Sequence, residues 1–196
     1  MKRLKNITIL LCFLSLVAFI SCSAEDKMGG KVTPPSGEPA TDLPNGYYKG
    51  NLICKTCIIG DDFHADESSY GANYKQELEQ EYKDWFTVDP FYLKIANNKL
   101  KWSSNEDALE ALGLEEVGAL KSGSEYSATN LLGGNTTESI SKIEATIKFT
   151  ISGDTISITY ILKGSQENKD GTLKFSLVAT YEGTLTKYTP TTSSGS

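Results

Sequence analysis

Ile143-Glu144-Ala145-Thr146-Ile147-Lys148-Phe149-Thr150-Ile151, Ser152-Gly153-Asp154, Thr155-Ile156-Ser157-Ile158-Thr159-Tyr160-Ile161-Leu162 is the stretch whose reading decides the fold. In its first arm Ile143, Ala145, Ile147, Phe149 and Ile151 recur at every second position. In its second arm Ile156, Ile158, Tyr160 and Leu162 do the same, with Ser and Thr between the first pairs. Successive side chains of a strand point to opposite faces, so each arm reads as a strand with one buried face. The Gly-containing triplet between them reverses the chain, which makes the pair a β-hairpin.

Working outward, Gly164–Gly171 reads as a polar loop. Beyond it Leu173, Phe175, Leu177, Ala179, Tyr181, Gly183 and Leu185 keep one phase over thirteen residues, with Gly183 placed to bend so long a strand. Upstream, Phe91–Ile95 and Leu100–Trp102 flank Ala96-Asn97-Asn98-Lys99, a turn that the tolerance of Asn for positive φ favours. Further upstream, Tyr48, Gly50, Leu52 and Cys54 alternate with Tyr47, Lys49, Asn51 and Ile53.

Between these strands the period changes. Tyr70, Tyr74, Leu78, Tyr82, Trp85 and Phe86 recur at i+3 and i+4 and fall within an arc of about 160° at 100° per residue. The spacing predicts a helix over Ser69–Phe86, ended before Pro90. Ser104 with Asp107 fits a capping box and Gly113 a C-terminal stop, which predicts a second, short helix over Ser104–Leu112. Residues 61–89 hold nine acids and two lysines. Helices do not alternate with strands, so a parallel α/β sheet is excluded. The expected fold is mainly β and antiparallel, with a helical insertion around residues 66–118.

Tyr48-Lys49-Gly50-Asn51-Leu52 is echoed near the end by Tyr181-Glu182-Gly183-Thr184-Leu185, both Y-x-G-x-L. In a closed barrel the first and last strands are neighbours, and paired glycines there permit a close approach. At Gly46-Tyr47-Tyr48-Lys49-Gly50 the chain resembles the calycin-like and lipocalin-like β-barrel lipoproteins of bacteria, over residues 46–54 and 140–188. It lacks the G-x-W opening of typical lipocalins and carries a long acidic insert. The resemblance implies a calycin-like barrel, with a β-sandwich as the alternative. It also implies a binding module holding a small apolar ligand, in a cavity lined by inward residues such as Tyr48, Trp102, Tyr160 and Phe175. The alternative function is a structural or interaction lipoprotein that presents the acidic insert to a protein partner. An enzyme of unknown type ranks third.

The N-terminus is an address. Lys2, Arg3 and Lys5 precede the apolar run Ile7–Ile20, which is too short to span a bilayer, and Ser21-Cys22 follows. Phe19-Ile20-Ser21-Cys22 resembles the lipobox of bacterial lipoproteins, although Phe19 is atypical. The resemblance implies removal of residues 1–21 and acylation of Cys22, with palmitate-type chains anchoring the protein in the membrane. Ser23 in place of Asp favours the outer membrane, on its periplasmic or cell-surface face. Residues 22–45, rich in Gly and Pro, read as a flexible tether. The folded domain is expected at 46–188 and a disordered polar tail at 189–196.

The 196-residue chain has 39% hydrophobic and 22% charged residues, values of a globular domain. Its net charge is −6, and taking away the three cations of the leader leaves −9 for the mature chain. A polyanionic nucleic-acid partner is excluded on that balance. The lipid, not a basic patch, must hold so acidic a protein at a membrane.

Cys54-Lys55-Thr56-Cys57 are placed in an exported chain, so a Cys54–Cys57 disulfide is expected. Three extended residues span about 10 Å against the roughly 7 Å limit for bridged Cα atoms, so the strand would have to break at Lys55-Thr56. The redox alternative lacks a surrounding βαβ unit, and zinc lacks a fourth ligand even with His64, the only histidine. Asp61, Asp62, His64, Asp66 and Glu67 form an acidic run without EF-hand register. No G-x-S-x-G, H-E-x-x-H or P-loop occurs. No catalytic residue, metal site or cofactor is therefore expected.

Overall fold

The computed structural model describes residues 36–110 and 114–190. The signal segment 1–21, Cys22, the first part of the tether, Ala111–Gly113 and residues 191–196 lie outside them.

The described residues form twelve strands in one sheet: β1 (Glu38–Pro39), β2 (Gly46–Gly50), β3 (Leu52–Ile59), β4 (His64–Ala65), β5 (Phe91–Ala96), β6 (Lys99–Ser103), β7 (Val117–Gly118), β8 (Leu120–Ser122), β9 (Glu125–Asn135), β10 (Ser139–Ser152), β11 (Thr155–Asn168) and β12 (Leu173–Tyr188). Neighbours are antiparallel, in the order β1-β8-β9-β10-β11-β12-β2-β5-β6-β7, and β3 and β4 pair with β12. The sheet curls into a nearly closed, calycin-like barrel rather than splitting into a sandwich.

The deciding hairpin is β10–β11, in register from Ile143↔Gly164 to Ser152↔Thr155. It continues outward to Ser139↔Asn168, so the stretch read as a loop from Gly164 is strand as far as Asn168. The β5–β6 turn falls at Asn97 and Asn98, with φ of 53° and 59°.

The two Y-x-G-x-L stretches lie side by side. Leu52 pairs with Gly183 and Lys49 with Thr186. A Cβ at Gly183 would sit 2.5 Å from the Asn51 carbonyl oxygen, and one at Gly50 would meet the Thr184 carbonyl oxygen still more closely. Two glycines thus let β12 pass from β3 to β2 without a backbone clash.

The other side of the barrel closes through Val117–Ser122. Its first half pairs with β6 and its second with β9, with only Ala119 between them. The segment before β2 fastens this seam. Ala40 N–H donates to the Ala119 carbonyl (2.9 Å), Leu43 N–H donates to Asn98 Oδ1 (2.9 Å), and Asp42 pairs with Lys121. The expectation of a free tether up to residue 45 is corrected here. Ala40 and Leu43 are buried, and Pro39 is tolerated because β1 is an edge strand.

The insertion holds two helices, α1 (Glu67–Tyr70) and α2 (Tyr74–Val88), where one was expected over 69–86. Gly71, at φ 89°, ψ 157°, ends α1 and resets the chain before α2. The second expected helix is a 3-10 turn, Asp107–Glu110. Asn105 rather than Ser104 caps it, accepting from the Asp107 N–H at 3.0 Å.

The stripe Tyr74, Leu78, Tyr82 and Phe86 on α2 is buried in the barrel. The Phe86 ring lies 5.1–5.4 Å from those of Phe91, Tyr160 and Tyr181, edge-on to each. Such pairs contribute about 0.5–1.5 kcal/mol each beyond their buried area. Tyr181 Oη donates to the Tyr82 carbonyl at 2.7 Å, tying α2 to β12.

Cys54 and Cys57 are both free, which corrects the expected disulfide. β3 does not break between them. Cys54 pairs with Tyr181, Thr56 with Thr180 and Cys57 with Ala179, so the register slips by one residue at Lys55. This β-bulge turns Leu52, Cys54, Cys57 and Ile59 toward the interior while Ile53 and Ile58 stay outside. The strand remains extended, and its length keeps the thiols unbridged.

Candidate functional site

Beyond Asn51 the barrel has a different construction from the rest. β3 pairs with β12 on one edge, and α2 packs along it. A crevice lies between α2 and β10–β12, lined by Tyr82, Ile143, Leu162, Gln166, Phe175 and Leu177. Its cavity volume is about 10 Å³, the room of a single water molecule, and it opens to solvent. Gln166 is 9% exposed, and its Oε1 is buried without a hydrogen-bond partner.

Of the four residues expected to line a ligand cavity, Phe175 borders the crevice. Tyr48, Trp102 and Tyr160 are brought into the core with it, yet they sit elsewhere. Tyr160 packs on Phe86, Phe91 and Tyr181. Tyr48 pairs across β2–β5 with Leu93 and is 1% exposed. The middle of the barrel is therefore occupied by its own aromatic side chains.

Gln166 was not singled out in the sequence, and Tyr82 and Ile143 were read only as buried-face residues of the helix and the hairpin. One signal was present: the inward phase of β11 runs on from Leu162 through Gly164 to Gln166. Reading the loop as starting at Gly164 hid it.

The flank of α2 beside its aromatic stripe carries Glu77, Glu81 and Asp84, each exposed, although burial against the stripe raises the Glu81 carboxyl above its ordinary range; Lys83 is paired to Glu79 at 2.7 Å. The acidic run before it does not converge on one point. Asp62 reaches β12, where it accepts from the N–H and Oγ of Ser176. Asp66 accepts from the hydroxyls of Ser68 and Ser69, which holds its carboxyl below the ordinary range. His64 lies on β4, opposite Lys174. Among the described residues no three His, Cys, Asp or Glu side chains are grouped to hold a metal ion.

Both thiols face α2 from β3. Burial pushes the Cys57 thiol up to about 11, with the neighbouring Cys54 and Glu79 adding to the effect. Burial raises Cys54 too, and its Sγ donates to the Thr56 carbonyl at 3.2 Å. Neutral, half-buried thiols make poor nucleophiles.

A second cluster, absent from the sequence reading, lies outside the barrel on β2, β5 and β12. Lys94 Nζ donates to both oxygens of Glu110 (2.8 and 2.9 Å), and Tyr47 Oη donates to the same carboxylate at 2.8 Å. Those donors hold the Glu110 carboxyl below its usual range. Lys49 lies over the Tyr188 ring, 4.7 Å from its centroid. The Tyr188 hydroxyl is buried without a hydrogen-bond partner, while Lys94, Tyr47 and Glu110 are paired with one another and brace the sheet against the 3-10 turn.

Compared with models of protein families, with curated proteins and with solved structures, the chain matches none.

Proposed function

We propose that this chain is a lipid-anchored cell-envelope protein that acts as an interaction module, presenting the acidic flank of α2 to a basic surface on a protein partner. Acylation of Cys22, after removal of residues 1–21, places it at the outer membrane in this reading. The observation that carries the proposal is the division of α2 into two faces. Its aromatic face is built into the barrel through Tyr74, Leu78, Tyr82 and Phe86, so the helix is held rigidly. Along one flank of that stripe the helix then displays Glu77, Glu81 and Asp84 in a fixed pattern. A preordered charged face costs little entropy on association and steers an oppositely charged partner.

A photo-crosslinker placed at Glu81 in cells, with one at the exposed Ser157 of β11 as the control, tests this. A product at Glu81 that is absent at Ser157 and lost in Glu77→Lys/Asp84→Lys is the expected outcome. Equal yields at the two positions, or a product indifferent to charge reversal, would count against it. The reading placed first from the sequence, a small apolar ligand within the barrel, meets an interior filled by the protein's own aromatic side chains.

A further inference from the structure

We infer that the open edge of β9, from Thr129 to Asn135, receives an extended basic segment of a protein partner as an added strand, with its cations against the acidic flank of α2. The charge of that partner rests on the acidic-flank reading above, whereas the open edge is an independent observation.

The topology leaves this edge open. β9 pairs with β10 as far as Asn135↔Ile140, but on its other side β8 covers it only from Glu125 to Ser127. There the covering chain leaves, because Val117 and Gly118 pair with β6 instead. α2 precedes β5 and lies beside β3 as β5 lies beside β2, so it fills the wall from the β3 side. Among the described residues no strand pairs with this side of β9 beyond Ser127. A bare edge offers a row of backbone N–H and C=O groups, and proteins usually blunt it with Lys, Pro or a covering element. The β1 edge carries Pro39, and β3 has α2 beside it. Ser127–Thr137 contains no charged residue and no proline.

The side chains at the edge also lack cover. Leu131 is 73% exposed on the outer face. Leu132 and Ile143, opposite one another in the β9–β10 ladder, follow the inward phase yet are only half-buried. An added strand covers both faces at once, since its alternate side chains fall beside Leu131 on one face and Leu132 on the other.

The charge of the occupant follows from α2. Glu79 and Lys83 lie on the side of α2 nearest β3, close enough to act on its thiols. At about 100° per residue, Glu77, Glu81 and Asp84 fall on the opposite side of the buried stripe, away from β3 and toward the gap before β9. Asp84 accepts from the neutral amide of Gln80, and Glu81 has no cation beside it among the described residues. A strand lying between this flank and an uncharged edge therefore gains from Lys or Arg on its outer face. A second copy of this chain, with a net charge of −6, is disfavoured there by the same electrostatics.

The test is NMR on the full chain with labelled backbone amides and leucine methyls. The probe is the hexapeptide acetyl-Lys-Val-Lys-Val-Lys-Val-amide. One control replaces each lysine with glutamate; the other keeps the lysines but methylates every amide nitrogen, which removes the strand-pairing donors. The lysine peptide is expected to shift the Leu131 and Leu132 methyls saturably and to slow exchange of alternate amides from Thr129 to Asn135 at least about tenfold. Both controls should bind at least about tenfold more weakly. Shifts confined to α2, with the methylated peptide binding as well as the parent, would overturn the inference and leave the acidic-flank reading standing. Shifts at β9 of equal strength with lysine and glutamate peptides would overturn the assigned partner chemistry and remove the acidic-flank reading with it. The absence of saturable shifts anywhere would overturn the inference outright.

Discussion

Around β2, β5 and β6 every strand is paired on both edges, whereas beyond Asn51 β3 pairs with β12 and a helix lies where the next strand would be. The two halves of one barrel are thus closed by different physics. Backbone pairing closes the first half, so its side chains only need to fill the space behind. The second half is closed by packing, and there the aromatic stripe of α2 must do what a ladder of hydrogen bonds does elsewhere. A helix cannot follow a twisted sheet edge along its whole length. A crevice remains where the two part, and it is at this junction that Gln166 is left unpaired.

The largest expected effect is at the packed half. Phe86 is 2% exposed and its ring meets four others, Trp85 among them. Phe86→Ala should cost about 3–5 kcal/mol in urea denaturation. A loss below about 1 kcal/mol would mean that α2 is an appendage rather than a wall of the barrel.

A smaller effect is expected at the paired half. Gly50→Ala places a Cβ on the Thr184 carbonyl, while at Gly118 nothing lies within 4 Å of the added atom. Gly50→Ala should cost about 1–3 kcal/mol from the forced backbone shift, and Gly118→Ala close to nothing. Thermal melts of the two variants side by side check this, and similar values would remove the case for a close approach at the seam.

The smallest effect lies at the border between the halves, where Cys54 and Cys57 face α2. The two thiols should be free, and iodoacetamide should label Cys57 slowly at pH 8. Labelling should accelerate as pH rises toward about 11, the range to which its thiol is pushed. The sign for stability follows. The folded state holds the proton above the ordinary thiol value of 9.0, so the contribution is complete below about pH 9 and is lost as pH climbs through about 11. Peptide mass spectrometry reads the labelling, and a Cys54–Cys57 cross-linked peptide would contradict the extended strand.

Period-two patterning made β10, β11 and β12 legible, because a strand with one buried face writes its geometry directly into alternate residues. The Y-x-G-x-L echo carried the seam for a similar reason, since glycine is what a close backbone approach requires. The Cys54–Cys57 bulge was misread. The spacing of inward residues, Leu52, Cys54, Cys57 and Ile59, contains a step of three where a strand needs two, which is the signature of one extra residue. The expectation of a bridge rests instead on two thiols in an exported chain and passes over this step. Of the site, Phe175 was legible from its phase, while Gln166 was hidden by polar neighbours that resemble a loop.

What the sequence determined by itself was local: which stretches are strands, which face of each is apolar, where the chain turns, and that the Tyr74–Phe86 stripe forms one side of a helix. Only the tertiary structure decided what those faces meet. It brought α2 into the barrel rather than onto its outside, used Ala40 and Leu43 to fasten the seam at Ala119, and left one amide unpaired beside the helix. The reason is that periodicity is a property of neighbouring residues. Contacts such as Tyr181 with Tyr82 or Ala40 with Ala119 depend on how distant segments share one volume, and no short-range pattern encodes that.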